Sequence, residues 1–393
     1  MVEWKKLVSV ANVLYGYPFE SSLFSEDSNY MPLIRIRDVK PAKASTYYSG
    51  EIREEYRIKK GDILVGMDGE FNLGRWDDRD GLLNQRVLKI SGKNGCSIDG
   101  YLFHYMGPVF KKIEKETAGG SVKHLSAKVI NNILIPIPSL SEQSRIVSIL
   151  DTFTSSISNL KQQIEERRKQ YNFLLDKLYY ANKSELFEAT ERGEVCVKTL
   201  DEIGTFTRGR RFVRTDIVEE GVPCIHYGDM YTYYGVCAEK TPTFLTKEKA
   251  EKLRFAKKGD VVIVAAGEND IDIGVGVAWL GEEDVVVHDA CFIFKHNMNP
   301  KYLSYFMRSM NYHLQIRMGV VDGKICSISA KELGRTLAPV PSLQAQSRIV
   351  SILDTFEQSI ANLEEQLAMR EKQYEYYRNQ LLTFEGEEER GKT

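Results

Sequence analysis

Arginine side chains gather in one short segment of the second half of the chain. TRGRRF (207–212) carries Arg208, Arg210 and Arg211 beside a turn-forming glycine, and Arg214 follows. A guanidinium group donates hydrogen bonds in a fixed planar fork that suits phosphate oxygens and the edge of guanine. These residues therefore predict a nucleic-acid contact, and a solvated surface loop is the alternative interpretation.

The corresponding segment of the first half, YGYPF (15–19), offers tyrosines in place of arginines. Tyr15 and Tyr17 carry hydroxyl groups that can donate and accept hydrogen bonds, and their rings can pack on sugars. We therefore expect the two segments to read different nucleotide sequences.

A second pair of loops follows two strand-like segments that begin with Gly-Asp. These loops are DGEFNLGRW (68–76) and GENDIDIG (267–274). Asn72 and Arg75 in the first loop, and Asn269 in the second, have side chains that hydrogen-bond to base edges. We expect these three residues to contact DNA.

A third pair of loops combines small residues with lysine before a short helix. The loops are GGSVKHLS (119–126) and DGKICSIS (322–329). Ser121, Lys123 and Lys324 are the candidate residues there. Small residues let the backbone approach a phosphate and lysine supplies positive charge, so these loops predict contacts with the DNA backbone.

Motifs of hydrolytic and nucleotide-binding enzymes are missing from the sequence. It contains no GxxxxGK[ST], GxSxG or HExxH, and no Asn-Pro-Pro-aromatic tetrapeptide of an amino-methyltransferase. His288 with Cys291, and Cys224 with His226, are close in sequence but give no four-ligand zinc spacing. We therefore expect a binding protein with no catalytic residues, no metal site and no cofactor of its own.

The composition is typical of a globular cytoplasmic chain. Hydrophobic residues make up 42% and charged residues 27% of the 393 residues, and no apolar run approaches the ~18 residues of a membrane span. The first ten residues mix charged with apolar side chains, and the six cysteines form no CxxC pair. We expect reduced thiols, a cytoplasmic location and no membrane contact.

One ten-residue sequence, SRIVSILDTF, occurs at 144–153 and again at 347–356. Packed cores tolerate exchanges among aliphatic residues, so packing alone does not require ten identical residues. Weaker matches, such as MPLIRIRDV (31–39) with VPCIHYGDM (222–230), extend through both halves. The chain is therefore an internal repeat of a variable segment followed by a helix.

Each copy of the ten-residue sequence lies in a long predicted helix that begins after a Pro-Ser turn. Ser139 and Glu142 fit a capping box at the start of the first helix. Apolar residues recur at spacings of three and four, which predicts a seam that packs on a partner helix. The seam residues are Leu150, Phe153, Ile157, Leu160 and Ile164 in the first helix and Leu353, Phe356, Ile360, Leu363 and Leu367 in the second. We expect each helix to cover the seam of the other.

The two variable segments are predicted to be mixed α/β. The predicted strands are Leu7–Val13, Leu33–Val39, Gly61–Met67 and Arg86–Ile90 in the first, and Val222–Tyr227, Asp260–Ala265 and Val285–Phe294 in the second. Helices are predicted near Tyr101–Glu114 and Tyr302–Met310. The net charge of the chain is −2, yet residues 1–140 alone carry +3, which leaves room for a basic face.

The repeated run P-S-L-x-x-Q-S-R-I-V-S-I-L-D, which opens a long helix after each variable segment, resembles the specificity (S) subunit of type I restriction-modification systems. The resemblance spans the chain from VEWKKL to about Phe384. It implies two target recognition domains, each reading one half of a split, asymmetric site in double-stranded DNA. It also implies that two conserved helices pack antiparallel as a spacer, and that the subunit is not catalytic.

The expected fold class is α+β, with two mixed α/β target recognition domains separated by two long antiparallel, coiled-coil-like helices in an internal pseudo-twofold repeat. The expected regions are a first recognition domain at 1–138, a central helical region at 139–190, a second recognition domain at 191–341, a distal helical region at 342–385 and an acidic tail at 386–393.

The resemblance also implies partners for the repeated helices. Two modification subunits transfer methyl groups from S-adenosylmethionine to adenine N6, and restriction subunits that use ATP and Mg²⁺ join through them. Two identical subunits on one asymmetric chain need the same surface twice, which accounts for the repeated sequence. The residues assigned to this docking are Gln143, Arg145, Asp151 and Arg167 in the first copy and Gln346, Arg348, Asp354 and Arg370 in the second.

Three alternatives remain open on the sequence alone. One is a coiled-coil scaffold whose variable domains bind protein or sugar ligands, and another is a nuclease with unrecognised catalytic acids. The third is the specificity subunit of a related system in which methylase and nuclease are fused.

Overall fold

The computed structural model describes residues 2–117, 123–321, 323 and 325–384. The chain divides into two compact units, Met1–Lys161 with Glu365–Thr393, and Gln162–Glu364. Each unit therefore combines one variable segment with the first part of one long helix and the last part of the other. Ser121, Lys324 and the acidic tail at 386–393 lie outside the described residues.

The described part of the first unit contains eleven strands, four complete α-helices and parts of the two long helices. The strands are β1 Glu3–Lys6, β2 Ala11–Tyr15, β3 Phe24–Ser25, β4 Met31–Ile34, β5 Tyr47–Tyr48, β6 Arg57–Ile58, β7 Ile63–Gly66, β8 Leu73–Arg75, β9 Gly81–Leu83, β10 Val87–Gly92 and β11 Leu134–Ile137. The helices are α1 Leu7–Val10, α2 Ile36–Val39, α3 Asp99–Glu116, α4 Ala127–Asn132 and the long α5 Leu140–Leu178, which continues into the second unit.

Two sheets build the variable part of the first unit. One has the strand order β2-β10-β7-β8 and the other β3-β5-β4-β9-β6, while β1 pairs with β11. The larger sheet is mixed, because β4 and β9 run parallel. Helix α3 supplies the fully buried Tyr101, Leu102 and Phe110 to a core that also takes Leu150 from α5. The four-stranded sheet, which contributes Ile63 and Leu88 to this core, is therefore anchored to the long helix.

The second unit repeats this plan with small differences. Its strands are β12 Cys196–Thr199, β13 Gly204–Arg208, β14 Ile217–Val218, β15 Val222–Ile225, β16 Cys237–Ala238, β17 Thr243–Leu245, β18 Phe255–Ala256, β19 Val261–Val264, β20 Ala266–Gly267, β21 Gly276–Trp279, β22 Val285–Val287, β23 Cys291–His296, β24 Cys326–Ser327 and β25 Leu337–Val340. Its helices are α6 Lys183–Glu191, α7 Leu200–Ile203, α8 Asp229–Thr232, α9 Lys247–Ala250, α10 Pro300–Phe306, α11 Met310–Ile316, α12 Ala330–Gly334 and the long α13 Leu343–Leu382. The sheet orders are β13-β23-β19-β21-β16 and β14-β17-β15-β22-β18, with the pairs β12-β25 and β20-β24.

Three predicted strands are wrong in part. Leu7–Val13 begins as the short helix α1, in which Leu7 and Val10 are both buried. Leu33–Val39 stops at Ile34, because the Asp38 carboxylate accepts the Arg35 N–H and starts α2. Val285–Phe294 is divided into β22 and β23 by a turn at 288–290. In each case a local hydrogen bond or helical spacing overrides an apolar run that is typical of a strand.

The long helices pack antiparallel inside each unit. In the first unit the rings of Phe153 and Tyr377 stack at 5.2 Å, and Lys161 lies 2.9 Å from Glu371. In the second unit the Tyr171 hydroxyl donates to Glu357 over 3.2 Å, and Arg168 pairs with Glu364. Residue numbers rise on one helix as they fall on the other, which is the antiparallel arrangement expected from the sequence.

The seam residues lie on the inner sides of these helices. Leu150 and Leu353 are completely buried, Ile164 is 8% exposed, and the other seam residues are half-buried. One position of the seam is charged in both helices, Arg167 in α5 and Arg370 in α13. Both arginines have a packing role, because the guanidinium of Arg370 covers Phe153 and that of Arg167 covers Phe356, each at 5.6 Å. A planar guanidinium that covers an aromatic face stabilises the helix pair at a position where an apolar residue is expected.

A buried imidazole in β23 makes the second unit sensitive to acid. Nδ1 of His296 accepts the Met298 N–H over 3.2 Å, and its Nε2 is buried with no hydrogen-bond partner in the described part of the chain. Burial lowers the pKa of His296 to about 4. The neutral ring therefore stabilises the folded state above pH 6.5, the ordinary histidine pKa, and this stabilisation is lost as the pH falls from 6.5 toward 4.

We predict that His296→Gln reduces the pH dependence of stability. Between pH 7 and pH 5 the unfolding free energy of the unmodified chain should fall by about 1–2 kcal/mol more than that of the variant. Urea denaturation of both full-length chains at the two pH values measures this difference. Equal losses in the two proteins would contradict the assignment.

Candidate nucleic-acid interface

The first loop of each unit crosses a sheet edge at a glycine. The N–H of Gly16 donates to the carbonyl of Val87, and that of Gly209 donates to the carbonyl of Cys291, each over 2.9 Å. A Cβ at Gly16 would lie 2.0 Å from the carbonyl oxygen of Asn84, and a Cβ at Gly209 would lie 2.2 Å from that of His288. No side chain fits at either position, so the backbone path is the same in both loops.

The second and third loops meet the first at the same edge. In the second unit the carbonyl of Ala290 accepts the N–H groups of Ala265 and Ala266, and Ala266 pairs with Ser327. In the first unit Met67 bonds to Arg86 and Leu125 bonds to Met67. The three loop pairs singled out in the sequence therefore converge on one edge of each unit.

The first loop of the second unit presents a cluster of arginines, which we call the arginine loop. Arg208, Arg210, Arg211 and Arg214 are all exposed, and the exposed Arg254 joins them by donating to the carbonyl of Arg208 over 2.5 Å. Nε of Arg208 donates to the carbonyl of Asp289 and Nη1 of Arg210 to that of Lys252, each over 2.8 Å. These bonds hold two of the guanidinium groups to the backbone and leave their remaining N–H groups toward solvent.

Carboxylates do not neutralise this cluster. None of its five arginines forms an ion pair within the described ranges, whereas seven arginines of the first unit do so. Five unpaired positive charges on neighbouring backbone repel one another, and an anion relieves that repulsion. The site is therefore suited to a polyanion.

A cluster of aromatic rings, which we call the aromatic cluster, packs next to the arginine loop. The Phe212 ring is 1% exposed and lies 4.9 Å from the ring of His288, which is 5.1 Å from the ring of His226. Nδ1 of His288 accepts the Ala290 N–H over 3.1 Å, and its Nε2 bonds to the carbonyl of Phe212 over 3.0 Å. Asp289, 3.1 Å from His288 Nδ1, favours the protonated ring, but burial outweighs it and lowers the pKa of His288.

The tyrosines of the first unit have different environments. Tyr17 packs on Phe19 and Tyr56 at 5.1 Å, with the guanidinium of Arg53 4.2 Å above its ring. Tyr15 is half-buried against the core of the unit, its hydroxyl has no hydrogen-bond partner among the described residues, and burial raises its pKa. The expectation that Tyr15 is an open loop residue is therefore wrong, because its ring packs on the core at the end of β2 and its hydroxyl is buried.

Arg75 is also not a free base-reading residue. Its guanidinium lies 3.3 Å from the Asp151 carboxylate and covers the ring of Phe103 at 4.6 Å. This pairing ties the variable segment to α5 and gives Arg75 a structural role, while its base contact stays a prediction. Asn72 is half-buried and donates to Glu70 over 3.3 Å.

The remaining candidates face solvent with short-range partners. Asn269 is exposed and donates to Asp272 over 3.4 Å, and Lys123 pairs with Glu114 at 3.7 Å. A residue that the sequence did not single out, His124, joins the second and third loops through a 2.5 Å contact with Asp68.

The docking residues divide into buried and exposed groups. Gln143 is completely buried and Gln346 is 2% exposed, so their assignment to a docking surface is wrong. Each side-chain amide bonds to a proline carbonyl before its own helix, and each side-chain oxygen accepts a backbone N–H from the adjacent recognition domain. They join the recognition domains to the helices.

The two aspartates of the repeat have the same role. Asp151 contacts Nε2 of His104 at 2.7 Å, and Asp354 accepts from the Tyr305 hydroxyl over 2.7 Å. Arg167 and Arg370 are half-buried and cover phenylalanine rings of the helix pair, so packing accounts for them, and their assignment to docking stays a prediction. Of the eight assigned residues, Arg145 and Arg348 are exposed.

Exposed residues of the repeat form a second feature. The four exposed positions shared by both copies are Ser144, Arg145, Ser148 and Thr152 in α5 and Ser347, Arg348, Ser351 and Thr355 in α13. Positions 144, 148 and 152 are four residues apart and lie on one helix face. We call this face the repeated stripe.

Several interface residues were missed in the sequence for lack of a local signal. Arg254 reaches the arginine loop from the segment just before β18, and in the sequence His226 and His288 stand out only as neighbours of Cys224 and Cys291. The described residues hold no group of three His, Cys, Asp or Glu side chains that suits a metal ion. Within the same residues, no helix has both the length and the apolar character needed to cross a membrane.

Comparisons with known proteins agree with this geometry. The model of a family described as the type I restriction modification DNA specificity domain matches residues 1–167 and 193–369. The EcoBI type I restriction enzyme specificity subunit of Escherichia coli is 40% identical over 158 residues, which are 40% of this chain and 33% of that protein. The MjaVIII specificity subunit of Methanocaldococcus jannaschii is 25% identical over 399 residues, covering 96% of this chain and 88% of that one.

Solved structures share the fold. A type I restriction-modification S subunit from M. genitalium aligns with a TM-score of 0.61 and 18% identity, over 98% of this chain and 97% of that one. A chain from a study of complex assembly and conformational transition of the type I system aligns with a TM-score of 0.56 and 17% identity, over 97% and 96%. These likenesses confirm the expected fold class. Since the family model matches both repeats, the chain belongs to the family of type I restriction-modification DNA specificity subunits.

Proposed function

We propose that each unit reads one half of a bipartite, asymmetric DNA site through the loops at its sheet edge. The observation that carries this proposal is the arginine loop, with five exposed guanidinium groups and no ion pair to a carboxylate in the described residues. Duplex DNA supplies both phosphate charge and guanine edges for such groups. The first unit presents Tyr17 and Arg53 at the equivalent edge, so the two half-sites differ.

We predict that the double variant Arg208→Gln with Arg211→Gln relaxes recognition of one half-site and leaves the other intact. The loss of two guanidinium groups removes DNA contacts made by the second unit, while the first unit keeps its own contacts. Methylome sequencing of cells that express the chain with its modification subunit gives both half-sites directly.

The matched control is Arg192→Gln with Arg335→Gln, which removes two exposed arginines of the same unit that pair with Glu194 and Glu332. This control should leave both half-sites unchanged. Equal loss of both half-sites in the arginine-loop variant, with the control unaffected, would overturn the assignment of one half-site to that loop.

The repeated stripe supports the second part of the proposal, in which each stripe docks one modification subunit. Its eight side chains are exposed, so neither the core nor the helix seam requires them to be identical. A common partner surface does require it. In this proposal S-adenosylmethionine, ATP and Mg²⁺ are used by the partner subunits and not by this chain.

We predict that Ser148→Arg and Ser351→Arg each release one modification subunit, and that the double variant releases both. A long charged side chain in the centre of an interface is not accommodated without loss of contact. Native mass spectrometry of the co-expressed complexes counts the subunits.

Ser158→Arg is the control, because Ser158 is exposed on the same helix and has Ala361 at the matching position of the other copy. It should keep both subunits. Release of both subunits by a single stripe variant, or of neither by the double variant, would count against docking at the repeated stripe.

A further inference from the structure

The arginine loop is rich in hydrogen-bond donors and poor in acceptors. Its five guanidinium groups only donate. The Asp289 carboxylate, 3.1 Å from Nδ1 of His288, is a single side-chain acceptor beside these many donors. The loop therefore favours a base that presents acceptors.

The aromatic cluster adds one more hydrogen-bond donor at a fixed place. Nδ1 of His226 accepts the N–H of Gly228 over 3.3 Å, and a backbone N–H can only donate. Burial lowers the pKa of His226, which keeps the ring neutral. The proton of the neutral ring then resides on Nε2, and the structure gives this nitrogen no partner among the described residues.

The backbone holds the donors in place before DNA arrives. Arg208 uses Nε for the carbonyl of Asp289, so its two terminal nitrogens remain as an end-on fork. The N–H groups of Gly209 and Arg210 bond to the carbonyls of Cys291 and Val287, over 2.9 and 3.1 Å. A guanidinium group held on a fixed backbone loses less conformational freedom when DNA binds than a guanidinium group on a mobile loop.

The bases differ in what they show in the major groove. Guanine presents two adjacent acceptors, O6 and N7, whereas adenine and cytosine each present an amino donor that an arginine cannot accept. We infer that the arginine loop makes the second unit specific for a half-site containing guanine, read through O6 and N7 by Arg208, Arg211 and the Nε2–H of His226. This inference rests on the proposed function and names the base class that the second unit selects.

The first unit lacks this donor array. The residues at the equivalent positions, Tyr15 and Tyr17, are a half-buried strand residue and a ring covered by Arg53. A tyrosine hydroxyl both donates and accepts, so it does not exclude adenine or cytosine. The requirement for guanine N7 should therefore be confined to one half-site.

The test uses the full-length chain with its modification subunits and duplexes that carry the motif found by methylome sequencing. In one duplex the guanines of the half-site assigned to the second unit are replaced by 7-deazaguanine, which lacks N7. In another they are replaced by inosine, which keeps O6 and N7 and lacks only the minor-groove amino group. Fluorescence anisotropy gives the affinity of each duplex.

We expect 7-deazaguanine to weaken binding of the unmodified protein about tenfold or more, and inosine to change it little. Arg208→Ala with Arg211→Ala should bind the guanine and 7-deazaguanine duplexes equally, while Arg192→Ala should keep the full difference. His226→Phe keeps an aromatic ring in the aromatic cluster and removes the donor. This variant should show a smaller difference between the guanine and 7-deazaguanine duplexes than the unmodified protein.

Three results would overturn the inference while leaving the proposed function standing: a half-site without guanine, indifference to 7-deazaguanine, or an unchanged 7-deazaguanine effect in the arginine variant. A variant that weakens all duplexes equally would show that these arginines bind phosphates instead of bases. Absence of any sequence-specific binding by the unmodified complex would reject the proposed function itself.

Discussion

The attachment of each recognition domain to the long helices is the constraint on which the rest depends. A buried glutamine in each repeat, Gln143 or Gln346, bonds to the backbone of the adjacent domain, and an aspartate two turns later bonds to a residue of the domain's helix. Removing one partner of such a buried bond leaves a polar group without water, which costs about 1–3 kcal/mol. The loops have a defined position only because this junction fixes the sheets that carry them.

The same junction changes the explanation of the repeated sequence. Six of its ten positions are buried or half-buried in at least one copy, and Leu150, Asp151 and their counterparts make equivalent contacts in both units. The exposed stripe is the part that packing does not explain. The ten-residue sequence thus meets two constraints. Contacts at the junction fix the residues of its inner face, and a second constraint keeps the exposed residues of its outer face identical. The two sets of residues lie on opposite faces of an amphipathic helix.

The sequence predicts the features that depend on local spacing. The helices and their seam follow from repeats of three and four residues, and the loop equivalence follows from the shared glycine of YGYPF and RGRRF. Features made by distant residues escaped prediction. Arg75 resembles Arg208 as a residue type, but its pairing with Asp151, 76 positions away, gives it a structural role. Arg254 joins the arginine loop from the segment before β18, 46 positions from Arg208, and escaped prediction for the same reason.

At Gly16 and Gly209 the path of the backbone is fixed by contacts that do not involve the neighbouring side chains. The neighbouring side chains, and with them the bases that are recognised, can therefore vary. Close contact with a carbonyl excludes any side chain at the glycine, so the loop path is set by the sheet. The neighbouring positions include exposed side chains such as Arg208 and Arg211, and exposed substitutions usually change stability by no more than about 0.5 kcal/mol. Base preference can therefore change at these positions without disturbing the junction, the helix pair or the repeated stripe.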